Sequence, residues 1–271
     1  MVLSSVQGAA GFPRLLHHQR TGERQPHEML VMTLLGPSLQ RLWESRTSRG
    51  IGASARPTVL QVGREVLRCL RRLHEKGGYV HNDLKPGNVV LGAAGSRDAA
   101  RLHLIDFGLS TPLTPRPGAA METSGMAASA PAAGRAGTPT YASIAAHEER
   151  RTCAADDLES LVYMLADLAA GRLPWQAEQQ GRSAVQMKRT MVSERSIEAL
   201  FEGAAAESPS EGREDVASSL QAVWALVVAC HETGAAVDYD ACLNALGGGA
   251  EEDDQASLES VFGGSQRASD I

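Results

Sequence analysis

Aromatic side chains are scarce in this sequence, at 4% of residues. No window reaches the roughly 18 uninterrupted apolar residues of a membrane-spanning helix, so no membrane partner is expected. The start has no basic segment followed by an apolar core, and no signal peptide is expected there. Four cysteines occur, Cys69, Cys153, Cys230 and Cys242, with no C-x-x-C pair among them. That spacing excludes the usual zinc and thiol-redox patterns, and it reads as free thiols in a reducing compartment. A basic bias is missing too. The net charge is −6, and from Gly248 onward six carboxylates face the single Arg267. The rest of the chain is close to neutral, which excludes general nucleic-acid binding through a basic face. His17, His18 and His27 have no nearby cysteine or carboxylate at ligand spacing and read as solvated loop histidines. No internal repeat is visible.

What is present suits one large domain or two small ones: 271 residues, 43% of them hydrophobic, enough for a substantial core. Residues 1–11 are small and polar without a period, and Phe12 to Leu16 suit entry into a strand. Met29 to Met32 read as a short buried strand, followed by Thr33-Leu34-Leu35 and a Gly36-Pro37 break. Ser38 is placed to cap a short helix running through Trp43. From Thr58, the residues Val59, Val62, Val66, Leu70 and Leu73 recur at helical spacing, with arginines between them forming a solvated face. Gly77-Gly78 ends that helix. Val89 to Leu91 and Leu102 to Ile105 read as a hairpin. Two further helices follow, one from Asp157 to Gly171 and one through Val216, Leu220, Val223, Trp224, Val227 and Val228. Residues 112–136 and 248–271 have too little apolar surface to offset chain entropy and are expected to be disordered.

Two short stretches carry the chemistry. His81-Asn82-Asp83-Leu84-Lys85-Pro86-Gly87-Asn88 fits H-x-D-x-x-x-x-N, and Leu104-Ile105-Asp106-Phe107-Gly108 supplies D-F-G in the same order as in protein kinases. Phosphoryl transfer needs a carboxylate to accept the hydroxyl proton, and an amide and a second carboxylate to hold metal ions against the phosphates. Asp83 fits the base, and Asn88 and Asp106 fit the metal ligands. Lys85, two residues after the base, fits a lysine aimed at the transferred phosphate.

Further residues extend this into a resemblance to the casein kinase I family of protein kinases and its tau-tubulin and vaccinia-related relatives. They are Met32 to Leu39, Tyr141-Ala142-Ser143-Ile144 with His147, Asp156 to Leu161, and Leu173-Pro174-Trp175-Gln176. The likeness covers about residues 7–176. It implies an α+β kinase fold, with an incomplete N-terminal lobe over residues 1–35 and a mainly helical C-terminal lobe over 36–247. An activation segment would run over 109–136, and an acidic tail over 248–271. It also implies Met32 as gatekeeper of an adenine pocket, Thr33 and Leu35 as hinge contacts, and Thr138 beside Asp83 and Lys85. Asp157 would fix the backbone around His81. ATP and Mg2+ would be the cofactors, and proteins the substrates of a monomer in the cytoplasm or nucleus.

The sequence departs from the family in several places. No Gly-rich phosphate loop, strand lysine or paired helix glutamate is found, and Gly247 to Ala250 is no substitute. The chain therefore reads as an N-terminally truncated copy. The family's basic pair before the two aspartates is Ala154-Ala155, with Arg150 and Arg151 displaced upstream, which removes the reason to expect acidic or primed substrates. Asn82 in place of arginine removes the cation that would meet an activation-segment phosphate. The expected function is transfer of phosphate from ATP to protein Ser or Thr. The alternatives are a pseudokinase serving as an interaction platform and, more remotely, a small-molecule kinase of similar fold.

Overall fold

The computed structural model describes residues 1–22, 27–48, 56–113, 137–177, 184–201 and 213–248. Within them, α1 is Val2–Ser5, α2 Leu39–Ser48, α3 Arg56–Arg72, α4 Ile144–His147, α5 Ala154–Ala170, α6 Pro174–Ala177, α7 Ala184–Glu194, α8 Arg213–Thr233 and α9 Tyr239–Ala245. The strands are β1 Leu15–Thr21, β2 His27–Met32, β3 Leu35–Ser38, β4 Tyr79–Val80, β5 Val89–Gly92, β6 Leu102–Leu104 and β7 Thr111–Pro112.

The core forms around α5, which packs on α3 and α8. The stripe expected on α3 is buried at every position, Val59, Val62, Val66, Leu70 and Leu73, and meets Leu158, Leu161, Val162 and Leu165 of α5 and Val223, Trp224 and Val227 of α8 in one cluster. Each such side chain contributes about 1.5–3 kcal/mol over leaving it exposed. Tyr163 stacks edge-on to Trp175 at 5.2 Å and tilted to Trp224 at 6.0 Å. The arginines of α3 are not simply a solvated face. Arg68 is 7% exposed and pairs with the buried Glu65 at 3.0 Å, Arg64 donates to Leu246 O at 2.8 Å, and Arg71 reaches Asp240 at 2.7 Å. A long side chain can bury its stem while its head finds a partner, which periodicity alone does not show.

After α3 the chain widens into a π turn, Leu73–Gly77, and stops at Gly78, whose φ of +74° suits glycine. The strands then set the loop that carries His81 to Asn88. β3, β5 and β6 form a sheet in that order, antiparallel, with Val89 opposite Leu104 and Leu91 opposite Leu102. The break expected at Gly36-Pro37 is instead part of β3. As an edge strand, β3 tolerates proline's missing N–H, and a Cβ on Gly36 would stand 2.5 Å from Gly92 O. β4 pairs with β7, and Leu113 N–H donates to Gly78 O at 2.9 Å. Pro112 and Leu113 are therefore ordered, against expectation, because two backbone strands pair there. Residues 114–136 and 249–271 lie outside the described residues.

β1 and β2 form a two-stranded hairpin of their own. Met29, Leu30, Val31 and Met32 were expected to be buried but are 40–47% exposed, since no further layer among the described residues covers either face. His17 and His18 are strand residues, not loop residues. The first residues are not merely polar: α1 forms, and Val2, Val6 and Phe12 join the main core. No described helix is long and apolar enough to cross a membrane.

Candidate active site

The loop between β4 and β5 is held at both ends before it presents a side chain. Asp157, in the first turn of α5, takes the backbone of the loop: its Oδ2 accepts His81 N–H at 2.7 Å, and its Oδ1 accepts Asn82 N–H at 2.9 Å. Oδ2 also meets His74 Nε2 at 2.8 Å, while His74 Nδ1 closely contacts the Tyr239 hydroxyl. Burial works to raise the Asp157 pKa, yet the bonds from His74 and His81 outweigh it and hold the group below the usual carboxylate range. His74 and Tyr239 escaped the sequence reading, because nothing local announces a contact spanning 165 positions.

His81 is fully buried, and its partners fix its tautomer. Its Nε2 faces Ile105 O at 3.1 Å and must donate, while its Nδ1 accepts Asp83 N–H at 3.3 Å. Burial lowers its pKa, consistent with a neutral ring. The ring packs on Phe107 at 5.3 Å, and Phe107 packs on Phe12 at 6.1 Å. Thus D-F-G is fixed from below by its phenylalanine. Ile105 N–H donates to Asn88 O at 3.0 Å, so the residue before Asp106 is tied to both halves of the catalytic loop.

Four donors converge on Asp83. Its Oδ1 accepts Thr138 N–H at 2.7 Å and Thr138 Oγ1 at 3.0 Å, and its Oδ2 accepts Lys85 Nζ at 2.7 Å and Asn88 Nδ2 at 3.0 Å. Lys85 also reaches Thr138 Oγ1 at 2.9 Å. Burial pushes the Asp83 pKa up, but the bonds from Lys85 and Thr138 prevail and keep it low, so the group is a carboxylate at neutral pH. Asn88 gives both amide hydrogens to Asp83, the second to its backbone carbonyl at 2.8 Å, which leaves the amide oxygen as its remaining polar group. Gly137 makes the approach of Thr138 possible: a Cβ there would lie 2.6 Å from Asn82 O and 2.8 Å from Asp83 Oδ1.

Asp106 is exposed at the end of β6, with φ of +62° and one long contact from Gly108 N–H at 3.4 Å. Asn82 has φ of +68°, and its Nδ2 donates to Leu109 O at 2.8 Å and Thr111 Oγ1 at 2.9 Å. The arginine expected at this position is thus replaced by a direct neutral anchor on the segment after D-F-G. Met32, Thr33 and Leu35 stand apart from this cluster, at the exit of the hairpin. Thr33 N–H donates to Arg14 O at 2.9 Å, so its N–H is already engaged.

The segment after Thr138 docks on α5 through Tyr141, whose hydroxyl donates to Asp167 at 2.6 Å, and Ile144, whose N–H donates to Glu159 at 2.9 Å. Lys188 clasps it from the other side. Fully buried over the rings of Tyr163 and Trp175, its Nζ donates to Ala142 O at 2.7 Å and to Pro139 O and Thr140 O at 3.3 Å. Burial pushes its pKa down to about 7. The sequence contains only two other lysines, Lys76 and Lys85. Of the arginines displaced upstream, Arg150 is paired with Glu148 at 2.6 Å and Arg151 donates to Leu113 O at 2.9 Å.

This geometry agrees with comparisons to known proteins. The chain matches the protein kinase domain model over residues 5–225. It is 38% identical over 182 residues to casein kinase 1-like protein HD16 of Oryza sativa subsp. japonica, covering 66% of this chain and 24% of that protein. It is 33% identical over 175 residues to serine/threonine-protein kinase spe-6 of Caenorhabditis elegans, covering 65% and 42%. It is also 32% identical over 173 residues to casein kinase I homolog 2 of Schizosaccharomyces pombe, covering 62% and 36%. The chain spans between 24% and 42% of the length of these relatives. With D-F-G behind a catalytic loop anchored on Asp157, and with the match running through most of its length, the chain belongs to the protein kinase family and is casein kinase I-like.

Proposed function

We propose that this protein is a serine/threonine kinase that moves the γ-phosphate of ATP to hydroxyls of protein substrates. Residues 1–35 would belong to the N-terminal lobe and 36–247 to the C-terminal lobe. The observation that carries this reading is the saturated carboxylate of Asp83, with two donors on each oxygen. A carboxylate offers about four lone-pair sites, so an incoming hydroxyl must displace a donor. Lys85 is the one free to leave. Its side chain is 28% exposed, and moving to the transferred phosphate vacates Oδ2 for the hydroxyl hydrogen. Thr138 and Asn88 meanwhile keep the carboxylate oriented. Asp83 then accepts the proton as the hydroxyl attacks.

The residues present fit Mg2+, which takes one or two carboxylates, other oxygens and phosphates. Asp106 offers an exposed carboxylate and Asn88 an amide oxygen. The ion would neutralise phosphate charge when bound. Adenine would rest against Met32, with the Thr33 carbonyl and the Leu35 backbone as its polar contacts. Phosphate transfer from ATP and Mg2+ to Ser/Thr peptides tests this reading. Asp83→Asn is expected to slow transfer by ~10²- to 10⁴-fold. Equal rates in the two proteins, or no transfer by the unsubstituted one, would overturn it.

A further inference from the structure

Outside the cluster around Asp83, three side chains of different chemistry converge at the start of α5. Cys153 caps the helix, Asp156 lies in its first turn, and His231 comes from the last turn of α8. A thiol sulfur, a carboxylate oxygen and an imidazole nitrogen, one from each, all lie within 4.8 Å of one another. Asp156 is the telling member. It is 4% exposed; its Oδ2 accepts Cys153 N–H at 2.8 Å, while its Oδ1 is buried with no hydrogen-bond partner. A buried carboxylate oxygen without a donor is unfavourable, and it asks for a ligand.

We propose that Cys153, Asp156 and His231 bind a zinc ion. Thiolate, imidazole and carboxylate together form the donor set of a borderline-soft cation, whereas magnesium and calcium take oxygen alone. Bond lengths of about 2.0–2.3 Å in a tetrahedron set ligand atoms roughly 3.3–3.8 Å apart. The present spacing closes to that by rotation of Cys153, which is exposed, and His231, whose side chain is 28% exposed. Asp156 need not move. The same exposure gives the ion a way in, and three protein ligands leave a fourth position for water. Glu159 adds the outer carboxylate that commonly orients a ligating imidazole: its Oε2 is 3.4 Å from His231 Nε2, and its Oε1 is held by Ile144 N–H and the Tyr163 hydroxyl at 2.9 Å each. An ion here joins the first turn of α5 to the end of α8, one residue from the Asp157 that anchors the catalytic loop.

Titrating the metal-free 271-residue chain with Co2+, then displacing it with Zn2+, tests the site. One equivalent of cobalt is expected, with the near-ultraviolet charge-transfer band of a thiolate ligand. Cys153→Ser should abolish that band, and His231→Gln should weaken zinc binding by at least about 10-fold, while Cys230→Ser should change neither. Zinc should also raise the melting temperature of the unsubstituted chain but not that of Cys153→Ser. Both ligand substitutions are at solvent-facing positions, so the variants are expected to fold. A cobalt complex without a thiolate band, a band that survives Cys153→Ser, or no complex with either metal would overturn the proposal.

Discussion

Asn82 shows how much a single amide settles. Its left-handed backbone is one that asparagine adopts more readily than most residues, and its side chain anchors Leu109 and Thr111 without any charge. Read from sequence, the position shows only a missing arginine; the replacement anchor needs the fold to bring residues 27 and 29 positions away against it. Asn82→Ala loses both hydrogen bonds and incurs roughly 1–2 kcal/mol of backbone cost, so urea unfolding should show about 2 kcal/mol or more of lost stability. Asn82→Gly should fall between the two, since it keeps the backbone and loses only the bonds. Gly137 is the second such residue. Gly137→Ala would drive a methyl group against Asp83 and Asn82 and displace Thr138 from the Asp83 carboxylate. Its phosphate-transfer rate is expected to drop well below that of the unsubstituted protein, and its melting temperature to fall as the Asn82 backbone is pushed aside.

At the scale of elements, α5 ties the catalytic loop to the core through one carboxylate. The Asp157 pKa is held below its unfolded value. Its contribution is therefore complete above about pH 4 and fades as pH falls through the folded value. Asp157→Asn should cost about 2–3 kcal/mol at pH 7 and flatten the acid limb of a stability–pH profile measured by denaturant unfolding. Lys188 of α7 gives the opposite limb. Its pKa falls to about 7 on folding, so between there and the ordinary lysine value near 10.4 the unfolded chain binds more protons. Stability should rise with pH across that window, and Lys188→Met should remove the rise. The catalytic loop and D-F-G were legible because the chemistry demands fixed residue types at fixed spacing, and α3, α5 and α8 because their apolar period is long. The partners of these elements were not legible. Lys188 meets carbonyls more than 40 positions away, Tyr239 closes on His74 across most of the chain, and Arg68 is buried against Glu65 on a face that reads as polar.

For the whole molecule, the sequence supplies no lysine beyond Lys76, Lys85 and Lys188 to grip the α- and β-phosphates. The 271-residue chain is expected to bind ATP with Mg2+ weakly in a direct titration, and Asp106→Asn should weaken it further; tight binding unchanged by that substitution would show that Asp106 is not the metal ligand. The helical fold was readable from pattern, but the exposure of β1 and β2 was not, because an apolar run looks the same whether or not anything covers it. That hairpin has a consequence for the life of the protein in solution. An isolated two-stranded ribbon is marginal in water, and this one presents Leu16 at 53% exposure and Met29 to Met32 at 40–47%, with no third strand among the described residues paired to either outer edge. Edges of that kind recruit further strands. Shelf life should therefore be limited by intermolecular assembly, with a strong dependence on concentration, and not by melting of the helices. Replacing Leu16 and Val31 with lysine should lengthen the time before light scattering rises, while leaving the melting temperature where it was.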